Sequence, residues 1–250
     1  MWVARDPQIR DPELLRRYES WMDPEESGKW KRFHFAEHRH QYLVTRTLVR
    51  SVLSGYDAAV DPGDWNFGKN QYGKPFIRFP RPCLPLTFNI SHTQGMIVVA
   101  VGLDRALGVD VECVGRMGRH EEIAERFFAP RETQSILHLP PGRRLERFFR
   151  LWTLKEAHVK ALGRGLSVPF DSFGFGFPGP GEIEFLQPEK TEGAGGEFEY
   201  RSLSLSSDHL VALALARSRS STPTRVRVFE TVPLVQVREI PCPIEYATRV

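Results

Sequence analysis

The sequence predicts an α+β fold in which a long helix followed by short strands occurs twice, a hint of two similar lobes. Two observations lead there. Apolar residues recur at helical spacing over residues 35–53 and again over 145–162. Each of these stretches is followed by short β-rich runs, so a helix-then-strands order occurs twice; identity between the halves is too low to establish a repeat. The expected division is residues 1–105 and 106–250.

Taken in order, Asp11-Pro12 and Asp23-Pro24 each set an N-cap aspartate before a proline suited to the first helical turn. Glu26 stands three residues after Asp23, the spacing of a capping box. The first long helix buries a stripe of Phe35, Tyr42, Leu48, Val49, Val52 and Leu53 and is expected to stop at Gly55. Residues 61–85, rich in Gly and Pro, read as loop with short extended pieces. Strands are expected over 86–90, 96–103 and 108–114. Pro130 and Pro140-Pro141 bracket a short helix over 131–139, ahead of the second long helix. Beyond Gly163 the chain turns β-rich, at 170–177, 182–186, 198–205, 210–216 and 225–229, with flexible connectors at 190–196 and 218–224.

Composition narrows the classes. A chain of 250 residues can bury a sizeable core, and a net charge of +3 does not imply nucleic-acid binding. Cys83, Cys113 and Cys242 are odd in number and widely spaced, so reduced thiols are expected rather than a disulfide framework or a zinc ribbon. The first residues lack the apolar core of a signal peptide, and no apolar stretch is long enough to span a bilayer. The expectation is a cytoplasmic protein that binds neither nucleic acid nor membrane.

Two distant patches carry the chemistry. In Gly108-Val109-Asp110-Val111-Glu112, strand spacing sends Asp110 and Glu112 to one face and the valines to the other. In the helix from Trp152 to Lys160, Trp152, Glu156 and Lys160 recur every four residues and share a stripe. Three carboxylates with lysines nearby suit a hard divalent ion beside a phosphate, and magnesium fits best. The plainer alternative is a solvated strand face and a surface Glu156–Lys160 pair.

A third patch, Phe88-Asn89-Ile90-Ser91-His92-Thr93, follows the Gly73-Lys74-Pro75 turn. With these motifs, and Gly163-Arg164-Gly165-Leu166-Ser167 closing the second helix, residues 20–175 resemble the 4′-phosphopantetheinyl transferases of the long single-chain type serving polyketide and nonribosomal peptide synthases. The resemblance implies two pseudo-symmetric lobes, each a long helix packed on a small antiparallel sheet, with coenzyme A in the cleft between them. It implies transfer of phosphopantetheine to a serine of an acyl or peptidyl carrier protein, with release of 3′,5′-ADP, by a monomer using Mg²⁺. It places Lys29, Arg39, Lys74, Pro75, Ser91, His92, Lys155 and Lys160 around coenzyme A. Magnesium falls to Asp110, Glu112 and Glu156; Glu156 and Lys160 are catalytic. The first lobe would take the 3′-phosphate and adenine side, the second the metal and the carrier. Asn89 and Ser91 would help His92 form an anion-facing turn. The carrier's acidic helix would dock between Val114 and Leu145, against Arg116, Arg119, Arg126, Arg143, Arg144 and Arg147.

Three other patterns compete. His34-Phe35-Ala36-Glu37-His38 has the His-x-x-Glu-His spacing of a zinc metallopeptidase, but Lys31, Arg32 and Arg39 surround it and no third ligand is identifiable. Gly174 to Gly179 matches a dinucleotide-binding glycine pattern without the helix that must follow, and reads as a turn. A non-enzymatic binding module could use Trp30, Phe33, Phe35 and Tyr42 among the basic residues, though these fit a helix core better.

Overall fold

The computed structural model describes residues 1–115, 118–186, 198–217, 224–242 and 244–248. Arg116 and the connectors over 190–196 and 218–223 lie outside the described residues. In chain order the elements are β1 (Trp2–Ala4), α1 (Pro12–Glu19), α2 (Pro24–Arg32), α3 (Ala36–Tyr56), β2 (Asn66–Lys69), β3 (Pro75–Phe79), β4 (Leu86–Thr93), β5 (Met96–Leu103) and β6 (Leu107–Cys113). Then follow α4 (His120–Phe127), α5 (Pro130–Leu137), α6 (Pro141–Leu162), β7 (Gly174–Gly176), β8 (Glu182–Leu186), β9 (Phe198–Ser206), β10 (His209–Ala216), β11 (Val228–Val232), β12 (Gln236–Ile240) and β13 (Ile244–Thr248).

Local chemistry explains the early helices. Asp11 Oδ1 accepts from the N–H groups of Glu13 and Leu14, and Asp23 and Glu26 form the reciprocal box at the start of α2. The predicted stop at Gly55 is not one. Helix α3 runs through it to Tyr56, because Val52 and Leu53 are buried alongside and one glycine in a last turn costs only about 1 kcal/mol.

The strands form two main sheets, ordered β12-β11-β1-β5-β4 and β6-β10-β9-β13-β8-β7, with β2 and β3 as a separate hairpin. The fold is α+β, as expected, but neither sheet is purely antiparallel: β1 runs parallel to β11, and β13 to β8. β11 and β12, counted by sequence with the second lobe, return to the first sheet, where Trp2 pairs with Phe229. Such a pairing depends on partners more than 200 residues apart, so local pattern does not announce it. Helix α4 and the strands β1, β12 and β13 were likewise not legible, and of residues 170–177 only Gly174–Gly176 is strand.

Alternation fixes the layers. Ile97 and Val99 of β5 join the core beneath α3, with Leu43, Val44, Leu48 and Val49. Met96, Val98 and Ala100 face the other way, onto Val109 and Val111 of β6 and Val211 and Leu213 of β10. Helix α6 covers the outer face of the second sheet, over Leu210, Ala212, Ala214 and Tyr200. The order is helix, sheet, sheet, helix.

The two sheets meet at their edges, β4 and β6. Three side chains of β4, spaced by two, accept N–H bonds from β6: Asn89 from Val109 (2.9 Å), Ser91 from Val111 (3.2 Å) and Thr93 from Cys113 (3.3 Å). They satisfy edge N–H groups that would otherwise be buried without partners.

Candidate active site

Helix α6 is packed almost all round. From Phe148 to Leu162 the partly accessible side chains are Trp152, Glu156, Lys160 and Leu162; the other eleven are buried. The stripe read from the sequence is thus the line along which the helix reaches the cleft. Trp152 anchors its start between the rings of Phe148 and Phe170, at 5.8 and 5.5 Å. Strand β6 passes directly under this line. A Cβ on Gly108 would lie 2.0 Å from the Ala157 carbonyl oxygen, so only glycine lets the two backbones approach. Past that contact, Asp110 and Glu112 continue on the same face of β6.

The carboxylates sit in a crowded, partly dry place. Asp110 is 4% exposed; its Oδ1 accepts from Lys160 Nζ (2.6 Å) and Ser91 Oγ (2.9 Å), and its Oδ2 is buried without a partner. Burial, then the charge of Asp110, pushes the Glu112 carboxyl up to about 7, and Glu156 adds to the rise. Burial and Asp110 raise the Glu156 carboxyl as well. Lys160 also donates to Ser91 Oγ (3.0 Å). Strand and helix patches therefore share one site, and the alternative of a solvated strand face does not hold.

Magnesium, which the resemblance implies, can be tested against this donor set. The orphaned Asp110 Oδ2 and two carboxyls raised by burial and by the charge of Asp110 make a site short of positive charge, and all the donors are hard oxygens. The residues fit the ion. As arranged, Lys160 holds Asp110, and among the described residues no three His, Cys, Asp or Glu side chains close on one point.

The remaining predicted residues divide. Lys74 and Pro75 line a cavity of about 300 Å³ with Tyr72, Ile90, Glu156 and Lys160. The Lys74 ammonium is already engaged, donating to the carbonyls of Leu107 (3.0 Å) and Ala161 (3.2 Å), and burial lowers its pKa to about 8. His92 stands exposed on the rim of a second cavity of about 700 Å³, with His38, Gln41 and Thr93. Partial withdrawal from water, then the Lys160 ammonium, lowers the His92 pKa, and Lys29 is near enough to add to this. Lys29 lies over the Tyr42 ring at 5.3 Å. Arg39 donates to the Phe33 carbonyl (3.0 Å). Ser91 and Asn89 belong to β4 and point at β6, so the anion-facing turn expected of them is instead part of the seam between sheets.

Lys155 is a correction. It is fully buried, paired with Glu132 at 2.7 Å, and donates to the carbonyls of Phe170 (2.6 Å) and Phe173 (2.7 Å), so it has no open side toward coenzyme A. Glu132, Thr93 and Gly108 were not singled out as functional; nothing in local spacing marks them, because each acts through a contact distant in sequence.

On the expected docking segment, Arg126 lies over Phe127 (5.2 Å), Arg147 over Phe177 (4.2 Å), and Arg119 pairs with Glu122. Arg144 is tied to Glu121 (3.1 Å) and Arg143 lies 3.7 Å from Glu146. His34 and His38 are exposed and flank the Phe35 ring at 5.0 and 5.5 Å, with no third ligand among the described residues. Gly174–Gly176 is a short strand paired with β8, not a dinucleotide loop. Among the described residues no helix is long and apolar enough to cross a membrane.

A site of this kind, with acids on a strand and acid and lysine on a neighbouring helix, suits a transferase of phosphate-linked groups. The model of the 4′-phosphopantetheinyl transferase superfamily matches residues 106–214, and that of the 4′-phosphopantetheinyl transferase N-terminal region matches 11–103. The chain is 36% identical over 165 residues to the 4′-phosphopantetheinyl transferase HetI of Nostoc sp., covering 65% of this chain and 68% of that protein. It is 37% identical over 158 residues to the 4′-phosphopantetheinyl transferase Sfp of Bacillus subtilis, covering 63% and 67%. Among solved structures it is similar to the Thermotoga maritima holo-[acyl-carrier-protein] synthase, at 32% identity over 46% of this chain and 64% of that one, with a TM-score of 0.35. The chain belongs to the 4′-phosphopantetheinyl transferases, of the Sfp type, and is an enzyme of that class. The metallopeptidase reading falls with that assignment.

Proposed function

We propose that this enzyme moves 4′-phosphopantetheine from coenzyme A to a serine hydroxyl of an apo acyl or peptidyl carrier protein, releasing 3′,5′-ADP, with Asp110, Glu112, Glu156 and Lys160 as its reacting centre. The observation that carries this is the Trp152-Glu156-Lys160 line, the accessible stripe of a buried helix, set against Asp110 and Glu112. Asp110, Glu112 and Glu156 would hold magnesium, which when bound supplies Lewis-acid neutralisation of charge on the pyrophosphate. Glu156, its carboxyl raised, takes the serine proton as the oxygen attacks the β-phosphorus. Lys160 neutralises charge on the leaving phosphate.

His92, on the rim of the larger cavity, and Lys29, near enough to act on its charge, take the 3′-phosphate, with Arg39 supplying positive potential. Lys74 and Ser91 act as struts beside the reacting centre, since their polar atoms already have protein partners. The first lobe thus serves the nucleotide end and the second the acids. Arg126 and Arg143, both exposed on the segment from Val114 to Leu145, offer charge for an acidic carrier helix. One chain supplies both walls of the cleft, so the enzyme works as a monomer.

The test is the mass of an apo acyl carrier protein and of an apo peptidyl carrier protein after incubation with the enzyme, coenzyme A and Mg²⁺. A gain of one phosphopantetheine group is expected, and none with Asp110→Ala. Carrier binding that ignores both coenzyme A and Mg²⁺, with no change in mass, would make this a binding module instead.

A further inference from the structure

Helix α6 poses a rotational problem. A helix with one apolar stripe settles by burying that stripe, but eleven of fifteen side chains between Phe148 and Leu162 are buried here. Four of the eleven are polar (Arg150, Thr153, Lys155 and His158), and the apolar rest, spread round the helix, give little preference for one rotation about the axis. Directional bonds must supply it, as buried polar groups set register in other helix packings.

Arg150 bonds Ser202 (3.1 Å) and His158 bonds the Tyr200 hydroxyl (2.8 Å), and the anchor next to Glu156 is Lys155. Lys155 Nζ and Glu132 Oε2 lie 2.7 Å apart, and both side chains are 0% exposed. Every strong group on the pair is used. Lys155 also donates to the carbonyls of Phe170 and Phe173, its ammonium 4.4 Å from the Phe173 ring centroid. Glu132 Oε1 accepts from the Phe175 N–H (2.8 Å) and Oε2 from the Ala129 N–H (3.0 Å). The pair therefore ties α6 to the start of α5, to the turn over residues 170–173 and to β7. Lys155 directly precedes Glu156, about 100° round the helix from it. Whatever fixes Lys155 fixes where Glu156 points.

We propose that Glu132 and Lys155 are positioning residues: their buried pair sets the rotation of α6 so that Glu156 and Lys160 face Asp110 and Glu112. The proposal rests on the reading of Glu156 as a reacting residue. Neither Glu132 nor Lys155 touches substrate; they act through the helix. A misplacement of about 1 Å at a reacting group can cost roughly 10²-fold in rate.

The test uses the double variant Glu132→Gln/Lys155→Met, which removes both buried charges and keeps an amide oxygen for the Phe175 N–H. Leu154→Ala, a cavity in the same helix, is the control for lost stability alone. In the carrier-modification assay the double variant should lose about 10²-fold in kcat, with KM for coenzyme A and for carrier protein within about threefold of wild type. Leu154→Ala, assayed where it is fully folded, should keep its kcat. Adding the double change to Glu156→Gln should cost little more than Glu156→Gln alone, because all three act as one unit. Wild-type kcat in the double variant would overturn the proposal, and so would equal losses in the double variant and Leu154→Ala. Full additivity with Glu156→Gln would overturn it as well. If the double variant does not fold, Glu132→Gln alone is read against the same control. A failure of the Glu156 reading shows separately, as wild-type turnover in Glu156→Gln.

Discussion

Glu112 is a carboxyl held where ionising is costly. Burial and the charges of Asp110 and Glu156 raise it from 4.5 to about 7. Between those values the folded protein binds more protons than the unfolded chain, so this group's contribution to stability is complete below pH 4.5 and is lost as pH rises through 7. Glu112→Gln should therefore stabilise the metal-free protein above pH 7 by about 1–2 kcal/mol, allowing for partial exposure, with the gain vanishing below pH 4.5. Urea midpoints at pH 4 and pH 8 measure this. Mg²⁺ neutralises the same charges, so it should raise the Tm of wild type more than that of the variant. Equal shifts would separate Glu112 from the metal. A site that gains stability when its acid is removed is one arranged for a ligand.

At the scale of elements, the contact between β6 and α6 carries the geometry. Nothing can rotate away from a Cβ at Gly108, because the atoms it would meet, the Ala157 oxygen at 2.0 Å and the Ala161 nitrogen at 2.4 Å, are both helix backbone. Gly108→Ala should lift α6 off β6, cost about 3 kcal/mol or more, and lower turnover by separating Asp110 from Glu156. Gly55→Ala makes the opposite case. That glycine lies in α3 with open space around its Cβ position, so the substitution should stabilise by about 0.5–1 kcal/mol and leave turnover unchanged. Denaturant midpoints and carrier-modification rates for the two variants test both statements. A wild-type Tm for Gly108→Ala would mean that the close approach is not essential.

For the whole molecule, the seam between β4 and β6 joins the edges of the two main sheets. Side chains, not a backbone ladder, hold it, so each rung can be removed without touching a strand. Asn89→Ala leaves the buried Val109 N–H without its acceptor and should cost about 1–3 kcal/mol. Thr93→Val should cost less, since Thr93 and Cys113 are only half-buried. If the seam also registers Asp110 and Glu112 against the first lobe, Asn89→Ala should raise KM for coenzyme A, which bridges the lobes in the proposed reading. Unchanged KM with reduced stability would make the seam purely structural. The return of β11 and β12 to the first sheet, beside β1, joins the late part of the chain to its first strand.

What the sequence determined by itself is periodic and local. Alternation put Asp110 and Glu112 on one face; four-residue spacing put Trp152, Glu156 and Lys160 on one stripe; Asp23 and Glu26 marked a helix start. These hold because strand and helix geometry fix side-chain direction within a few residues. Lys155 lay beyond such reasoning: its spacing and charge suit a phosphate as well as they suit Glu132, and only the packing of α5 against α6 chose between them. The same holds for Ser91, which a motif could not distinguish from a substrate contact until β6 was beside it. Pairing across long separations, the closeness of Gly108 to Ala157, and the withdrawal of water that raises Glu112 and Glu156 arise only when distant segments meet. Burial is a property of the assembled molecule, and here burial gives the carboxylates their chemistry.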